Sequence, residues 1–542
     1  MFRGRTNAAP LIVIFLALLT GGWFLQRGVA QERVGFVQSR LFQEVLDHIS
    51  NRYVEPVDAE RLYDSAIQGM LDELDDPNSS LLNVSDYESF RIQTEGDYGG
   101  VGLEITERDG FVTVVNPLPG TPGSRAGVRA GDRIVRVEGT DIEGDVNRAV
   151  DLLRGQPETP VQLDVQRPGV DQSIPFTIQR ARIQLRSVPF AALLDDGVGY
   201  VPLQVFNETA SREVMEAVDS LLEQGARKLV LDLRGNPGGI LDQGVAVAEL
   251  FLPARQIVVE TRGQASEQNQ VLRTSRSQRF PDLPLAVLID ERSASASEIV
   301  AGALQDHDRA LVLGNTSFGK GSVQTLFRLS GGNVLKLTTA HWYTPAGRSI
   351  QAPPVAEDDA QERRERLVLT LDGQMALRPD TAGREQVTSF AGRTLYGGGG
   401  ITPDRIVMPD TLDTVEQEAV RRLFQEAGAF SLALFDYAVR FLQENPDLSP
   451  DFTLGQAQLA AFQRYLGERG VELDPQVYSA ATRFVRGQLD REIALQGFGE
   501  REEFLRRVQG RGDPALANAL EFLANSESTA ELFAVVGSPV RP

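Results

Sequence analysis

Residues 228–239 read KLVLDLRGNPGG, in which an apolar strand runs directly into a turn rich in glycine. Outward from this stretch, apolar strands alternate with helical patterns from about residue 184 to 407, for example at 198–204, 209–224 and 285–289. This alternation predicts an α/β layer fold whose functional loops lie at strand ends. Glycines let the backbone approach a ligand with its N–H groups pointing inward, although a plain turn between strand and helix also favours glycine.

The composition narrows the classes of function. At 542 residues the chain is long enough for three or four domains of about 150 residues each. Its net charge of −21 argues against a nucleic-acid partner, which would need clustered Lys and Arg. The absence of cysteine excludes disulfides, thiolate nucleophiles and Cys-ligated zinc. The three histidines have no metal-binding spacing, so we predict no metal and no cofactor.

A Ser-His-Asp triad would have to use one of these histidines. His307 lies in a polar helix end, which indicates a solvated side chain. His341 lies in a strand next to Trp342 and Tyr343, which is typical of a packed residue. Neither histidine is favoured as a catalytic group.

The first 30 residues carry an export signal. Arg3 and Arg5 precede an apolar run over 11–25, and the small residues Gly28 and Ala30 permit cleavage. An uncleaved membrane anchor is equally compatible with this pattern, because the run is intermediate in length between a signal-peptide core and a membrane span. Both interpretations predict an exported protein, either periplasmic or anchored to the inner membrane and facing the periplasm.

A helical region over 31–95 leads into a strand-rich unit over 96–183. Residues 99–105 read GGVGLEI and residues 117–135 read PLPGTPGSRAGVRAGDRIV. This order resembles a PDZ domain of the bacterial protease type. The resemblance implies a loop whose backbone N–H groups bind the terminal carboxylate of a peptide added to the sheet edge. The loop residues would be Gly99, Gly100, Val101, Gly102 and Leu103.

Two later motifs suggest a nucleophile and a base. Residues 293–298 read SASASE at the start of a helical pattern, and residues 318–324 read FGKGSVQ on a loop flanked by glycine. A serine hydroxyl needs a base to take its proton, and a lysine can do so when desolvation lowers its pKa. One helix and one strand separate the two motifs. A segment of this length can run along the helix and back along the strand, which would bring the second motif close to the first. From the residues alone, any of the three serines could be the nucleophile or only a helix cap, and the lysine could be a surface residue.

The order of these parts resembles the carboxy-terminal processing peptidases, also called tail-specific proteases, over about residues 35–407. The resemblance implies a multidomain α/β protein with a peptidase domain of the ClpP/crotonase-like fold over 184–407. A PDZ domain would be inserted in this domain or precede it, and helical segments would flank both.

The family pattern also assigns roles to residues of the predicted active site. Ser295 matches the nucleophile, Lys320 matches the general base, and Gln324 matches the residue that orients the lysine. The oxyanion would be bound by the N–H of Ala296, at a helix N-terminus, and by a glycine of the turn at 236–239. We favour Gly239, although Gly238 remains an alternative.

The sequence departs from the family pattern at one place. About 45 extra residues, at 352–396, separate the segment 348–351 from the turn at 400–404. The charged run over 357–366 predicts that this insertion is exposed. The remaining residues, 408–542, are mostly amphipathic helix without a catalytic constellation, and we interpret them as an accessory helical region.

The leading functional hypothesis is an exported serine endopeptidase that acts on proteins or peptides with exposed C-termini. We expect a homo-oligomer, with membrane association if the N-terminal segment is retained. One alternative is a non-catalytic envelope scaffold that combines a PDZ domain with a degenerate peptidase fold. Another is a crotonase-type enzyme acting on acyl-CoA, but an export signal and a PDZ domain fit a cytosolic cofactor poorly.

Overall fold

A computed structural model describes residues 37–108, 110–167, 170, 172–353, 366–379, 383–425, 429–469, 474–509 and 512–536. The export signal predicted for residues 1–30 lies outside these ranges, so it stays a prediction. Within the described ranges, no helix is both long and apolar enough to cross a membrane.

The helices of the described residues are, in chain order, α1 (37–52), α2 (Ala59–Asp72), α3 (Val84–Glu95), α4 (Pro122–Ala126), α5 (Val146–Leu153), α6 (Ala210–Glu223), α7 (Leu241–Glu249), α8 (Ala296–Asp306), α9 (Thr414–Gln425), α10 (Ala429–Glu444), α11 (Gln456–Glu468), α12 (Pro475–Ala480), α13 (Thr482–Phe498), α14 (Glu500–Gln509), α15 (Pro514–Ala524) and α16 (Thr529–Val536).

The strands are β1 (Ser80–Leu82), β2 (Asp97–Gly100), β3 (Leu103–Arg108), β4 (Phe111–Pro117), β5 (Arg133–Val137), β6 (Thr140–Asp141), β7 (Pro160–Gln166), β8 (Ile174–Gln179), β9 (Ala181–Gln184), β10 (Ala192–Leu194), β11 (Val198–Pro202), β12 (Lys228–Asp232), β13 (Ile257–Gly263), β14 (Gln270–Arg273), β15 (Leu285–Ile289), β16 (Leu311–Gly314), β17 (Ser322–Arg328), β18 (Val334–Tyr343), β19 (Leu367–Leu369), β20 (Met375–Leu377), β21 (Gln386–Thr388), β22 (Thr394–Tyr396) and β23 (Arg405–Ile406).

The described residues fall into two compact units. The smaller comprises 37–83 and 325–338, and the larger comprises 84–324 and 339–536. In the smaller unit, Asp58 caps α2 by accepting a hydrogen bond from the Glu60 N–H at 2.9 Å. Strand β1 then pairs antiparallel with the first residues of β18.

The region predicted to resemble a PDZ domain forms an antiparallel sheet in the order β3-β4-β5-β7-β8, with β6 beside β5. Alternate residues of β7, namely Val161, Leu163 and Val165, are buried in its core. Helix α5 begins where the Asp145 side chain accepts from the Arg148 N–H, and it buries Ala149 in the same core. In this sheet β3 is an edge strand, and within the described part of the chain its one strand partner is β4.

The turns that carry Ser295 and Lys320 follow strands of a six-stranded sheet in the order β10-β11-β12-β15-β16-β23. The strands from β11 onward are parallel, and β10 runs antiparallel at one edge. Strands β12, β15 and β16 are completely buried, because both faces of the sheet are covered. Since parallel strands end at the same edge, the turns that follow β12, β15 and β16 meet there.

Each face of this sheet has its own helical cover. Leu229, Leu231 and Leu233 pack against a cluster that includes residues of α6, α7 and α8, whereas Val230 packs on the opposite face. Residues of α14, α15 and α16, such as Phe504 and Leu516, cover that opposite face. The C-terminal region therefore differs from the accessory role assigned to it, since its last three helices complete the core of the α/β unit.

A buried ionic network ties α15 to the turn after β12. The Arg234 guanidinium donates to Asp232 and, at 2.8 Å through both terminal nitrogens, to Asp513 at the start of α15. Asp513 also accepts from Arg507 at 2.7 Å. Burial by itself would raise the pKa of Asp513, but the charges of Arg234 and Arg507 outweigh burial and hold this pKa well below its usual range.

The described part of the insertion at 352–396 forms two hairpins, β19-β20 and β21-β22. Leu369 of the first hairpin packs against the cluster formed by α9 to α13. The second hairpin contacts the C-terminal end of α8, where Arg393 pairs with Asp308 at 2.6 Å and the Phe390 N–H donates to the Asp306 carbonyl at 3.0 Å. The described part of the insertion is thus docked onto its neighbours, while most of the charged run predicted to be exposed lies outside the described residues.

We expect Asp513→Ala to lower the free energy of unfolding by about 3 kcal/mol, because it leaves Arg234 buried without one of its two carboxylate partners. Chemical denaturation at neutral pH measures this loss. Glu444→Ala, which removes an exposed helix-surface pair with Arg440, is the control and should change stability by less than about 0.5 kcal/mol. The effect of Asp513→Ala should shrink in acid, because a carboxyl with a lowered pKa stabilises above its ordinary pKa and loses that contribution as pH falls. Equal effects of the two substitutions would contradict this account.

Candidate active site

Ser295 lies in the turn between β15 and α8, immediately before the first helical residue. Its backbone has φ 53° and ψ −115°, a conformation that non-glycine residues rarely adopt and that costs about 1–3 kcal/mol. The Ser295 N–H donates to the Glu298 carboxylate at 2.8 Å, which helps to hold this backbone in place. Strain of this kind is concentrated at functional positions.

The two neighbouring serines are engaged elsewhere. The Ser293 hydroxyl donates to the Leu233 carbonyl at 2.8 Å, and the Ser297 hydroxyl donates to the Asn236 carbonyl at 3.0 Å. Both side chains are completely buried, whereas Ser295 is partly exposed. The structure thus gives Ser293 and Ser297 roles in joining two turns, and it leaves Ser295 as the better candidate for the nucleophile.

The turn that carries Lys320 contacts the same glutamate. The Gly319 and Lys320 N–H groups donate to the Glu298 carboxylate at 2.7 and 3.0 Å. The Lys320 carbonyl accepts from the Trp342 indole at 3.0 Å. The backbones of Ser295 and Lys320 are therefore held near each other, because both are bound to the side chain of Glu298. The catalytic pairing of their side chains stays a prediction.

Gln324 lies two residues into β17, on the same strand face as Ser322. Its side-chain amide donates to the Ser322 hydroxyl at 2.9 Å. Lys320 lies in the turn before β17, so the strand alternation that relates Ser322 to Gln324 does not extend to it. The predicted role of Gln324 in orienting the lysine stays a prediction.

The glycine-rich turn after β12 lies against Ser295. A Cβ added to Gly238 would lie 2.7 Å from the Ser295 Cβ and 3.0 Å from the Ala296 nitrogen, so only glycine fits there. A Cβ on Gly239 would meet the Phe206 carbonyl oxygen at 2.3 Å. The Gly238 N–H donates to the Asn236 side chain at 2.8 Å. Because that amide is already engaged, Gly239 stays the favoured oxyanion donor, together with Ala296 at the N-terminus of α8.

Glu298 is the residue of this site whose role sequence reasoning missed. Its side chain is completely buried and accepts four hydrogen bonds, from Ser295, Ser317, Gly319 and Lys320. Burial raises its pKa to about 7, against the opposing effect of these four donors. The signal available in the sequence was the spacing Ser-x-x-Glu, which is typical of a helix capping box.

His307 lies away from Ser295, and His341 lies in a strand outside the central parallel sheet. His307 follows α8 at the end opposite Ser295, where its ring contacts the Ile257 carbonyl and packs on Phe390 at 4.7 Å between ring centres. His341 lies in β18, paired with Arg262 of β13. Among the described residues, no cluster of three or more His, Asp or Glu side chains could hold a metal ion.

The predicted carboxylate-binding loop is shorter than expected. Gly99 and Gly100 lie in β2, paired with Arg182 and Ala181 of β9, rather than in a loop. Glycine is required at position 99, where a Cβ would lie 2.0 Å from the Gly155 carbonyl oxygen. The prediction of a loop is therefore wrong for these two glycines, because a Gly-Gly pair can serve close strand packing as well as a turn. Their role in peptide binding stays a prediction.

The rest of the predicted loop connects β2 to the edge strand β3. Val101 is buried and its carbonyl accepts from the Gly123 N–H at 2.8 Å. Gly102 has a φ of +73°, and its carbonyl accepts from the Leu118 N–H at 3.0 Å. Leu103 begins β3. These three residues, Val101 to Leu103, remain candidates for binding a peptide carboxylate.

Comparison with known proteins identifies the parts. Residues 197–360 match peptidase family S41, residues 113–167 match the PDZ domain family, and residues 27–85 match the N-terminal domain of the activating protease CtpB. The carboxy-terminal-processing protease of Bartonella bacilliformis is 37% identical over 403 residues, which cover 72% of this chain and 89% of that protein. The chain belongs to the carboxy-terminal processing proteases of family S41.

A second relative agrees with this assignment. The carboxy-terminal processing protease CtpA of Bacillus subtilis is 34% identical over 305 residues, covering 56% of this chain and 65% of that protein. Among solved structures, a photosystem II D1 C-terminal processing protease is 34% identical, covers 57% of this chain and 83% of its own, and superposes with a TM-score of 0.34. The family resemblance, the serine peptidase class and the multidomain α/β fold with a PDZ domain are thereby confirmed.

We expect Gly238→Ala to lower kcat/KM of this carboxy-terminal processing protease by about 100-fold, because the added methyl displaces Ser295. Gly225→Ala is the matched control: Gly225 has nearly the same φ, +100° against +97°, but a Cβ there meets nothing within 4 Å. Steady-state cleavage of a fluorogenic peptide, together with thermal unfolding of both variants, checks the expectation. A similar loss of activity in both variants would show that backbone strain, rather than the contact with Ser295, is responsible.

Proposed function

We propose that this chain is an exported serine endopeptidase that recognises protein C-terminal ends through its PDZ domain and hydrolyses peptide bonds with a Ser295–Lys320 dyad. The observation that carries the proposal is the convergence of three turns: Gly238 packs on Ser295, and Glu298 binds the backbones of Ser295 and Lys320. Membership of the carboxy-terminal processing proteases supports the same assignment.

In the proposed reaction, the Ser295 Oγ adds to the carbonyl carbon of the scissile peptide bond while the uncharged Lys320 amine accepts the hydroxyl proton. The resulting oxyanion accepts hydrogen bonds from the Ala296 and Gly239 N–H groups. Lys320 then gives its proton to the leaving amine, which departs with the C-terminal fragment. A water molecule, deprotonated by the same lysine, hydrolyses the acyl-enzyme and regenerates Ser295.

The PDZ domain has a sheet edge that suits the proposed recognition. Among the residues that the structure describes, strand β3 pairs on one side only, with β4, so its other edge can accept an extended peptide as a further strand. The connection from Val101 to Leu103 lies at the start of this edge, where the peptide would end. Its backbone N–H groups would bind the terminal carboxylate.

We further propose export to the periplasm, on the charge and apolar pattern of residues 1–30, and assembly as a homo-oligomer. Cell fractionation with N-terminal sequencing of the protein distinguishes a cleaved signal from a retained membrane anchor. Light scattering after size-exclusion chromatography measures the oligomeric state. A cytoplasmic protein with an intact N-terminus would contradict export, and a monomer at all concentrations would contradict assembly.

We expect Ser295→Ala and Lys320→Ala each to reduce kcat by about 10⁴-fold or more, and the double variant to be little worse, because the two groups act as one unit. Ser293→Ala and Ser297→Ala are the matched controls and should keep measurable activity, since their hydroxyls bind backbone carbonyls. In the wild type kcat/KM should rise with pH, because only the unprotonated lysine can accept the serine proton. Cleavage by Ser295→Ala would disprove the assigned nucleophile, whereas absence of cleavage by the wild type would support the scaffold hypothesis.

We expect the Ser295→Ala protein to bind a peptide with a free, apolar C-terminus, and amidation of that terminus to weaken binding by about tenfold or more, because the charge-assisted bonds to backbone N–H groups are lost. Fluorescence anisotropy with a labelled peptide measures both affinities, and the inactive variant prevents cleavage during the measurement. The same peptide acetylated at its N-terminus is the control and should bind unchanged. Equal affinity for the free and amidated forms would rule out recognition of the C-terminus.

A further inference from the structure

The Glu298 side chain, in the first turn of α8, occupies an unusual position for a carboxylate. It is completely buried, and each of its oxygens accepts two hydrogen bonds. Oε1 accepts from the Ser317 hydroxyl at 2.6 Å and the Gly319 N–H at 2.7 Å. Oε2 accepts from the Ser295 N–H at 2.8 Å and the Lys320 N–H at 3.0 Å.

These bonds reach well beyond the helix that Glu298 belongs to. A glutamate at this position of a helix normally caps the residue three positions before it, which here is Ser295. The other three donors come from the turn over 317–320, about twenty residues further along the chain. The Ser317 hydroxyl also accepts from the Ile401 N–H at 2.6 Å, so the same arrangement reaches the segment that follows the insertion.

A helix cap alone does not require this arrangement. Burying a carboxylate is unfavourable unless donors compensate for the lost water, and a solvent-exposed glutamate could cap Ser295 without that cost. Here the compensating donors are the backbone and hydroxyl groups of the turn that carries Lys320. The positive end of α8 adds a favourable field for the ionised form. All four hydrogen bonds to the Glu298 carboxylate form only when the Ser295 turn and the Lys320 turn are both in place.

We propose that Glu298 is a positioning residue for peptide hydrolysis: by binding the backbone N–H groups of Ser295 and Lys320 with one oxygen, it fixes the separation and orientation of nucleophile and base. This inference rests on the proposed Ser295–Lys320 dyad. Glu298 itself does not contact the substrate in this account. It acts through the two turns that it joins.

Glutamine is the informative replacement, because it has the shape of glutamate but one amide nitrogen in place of an oxygen. That nitrogen donates and cannot accept, so whichever way the amide lies, two of the four donors lose their acceptor. The Ser295 turn and the Lys320 turn would then move apart by a fraction of an ångström. Displacements of about 1 Å in an active site can reduce the rate about 100-fold.

The experiment compares Glu298→Gln with Glu291→Gln in the full-length protein. Glu291 lies four residues before Ser295, is partly buried, and accepts from the Asn315 side chain at 3.2 Å. We expect Glu298→Gln to lower kcat about 100-fold with KM changed less than about threefold, and to slow labelling of Ser295 by a fluorophosphonate by a similar factor. Glu291→Gln should keep kcat within about threefold of the wild type. Binding of the tail peptide should be unchanged in both, because the hydrogen-bond partners of the two glutamates given above all lie in the peptidase domain.

Ser317→Ala keeps the test decisive if Glu298→Gln fails to fold. It removes one donor and leaves the carboxylate in place, and we expect an intermediate loss in kcat of about three- to tenfold. The proposal is overturned if folded Glu298→Gln keeps kcat within threefold, or if the loss in either variant merely follows the fraction of unfolded protein. Ser295→Ala distinguishes failure of the proposed dyad from failure of the proposed role of Glu298. If Ser295→Ala still cleaves, the dyad is wrong. If Ser295→Ala is inactive while Glu298→Gln is active, only the role of Glu298 is refuted.

Discussion

The central parallel sheet is apolar on both faces, and this constraint arranges most of the molecule around it. Strands β12, β15 and β16 have no exposed residue, so each face needs a helical cover. Helices α6 to α8 cover one face, and α14 to α16 cover the other. The polar groups are consequently confined to the strand ends, where the turns after β12, β15 and β16 converge on Ser295.

Two buried carboxylates at these turns are stabilised in opposite ways. Asp513 is paired with the charges of Arg234 and Arg507, which lower its pKa despite burial, so its contribution to stability is present above the ordinary pKa of 3.8 and is lost as pH falls. Glu298 is surrounded by neutral donors, and burial raises its pKa from 4.5 to about 7. The folded state therefore binds that proton more tightly than the unfolded chain, and the contribution of Glu298 to stability decreases as pH rises from 4.5 to about 7. The ion pairs of Asp513 anchor helix α15, whereas the neutral donors hold the Glu298 carboxylate beside the proposed nucleophile.

The sequence alone predicted the elements whose signals are local. Patterns of a few residues mark the apolar run at 228–233 and the serine and lysine motifs. The succession of such motifs along the chain then indicates the order of the domains. The role of Glu298 could not be read in this way, since three of its four donors lie about twenty residues away. Gly99 and Gly100 were assigned to a loop because glycine pairs serve turns and close strand packing equally well. The cover formed by α14 to α16 was missed because an amphipathic pattern shows that a helix has an apolar face but not what that face meets.

Helix α8 connects the proposed nucleophile to the insertion. Ser295 precedes its first residue, and at its other end Asp306 and Asp308 contact Phe390 and Arg393 of the second hairpin. A helix of 11 residues is about 16 Å long and stiff along its axis. The insertion is consequently attached to the same helix that has the proposed nucleophile at its start.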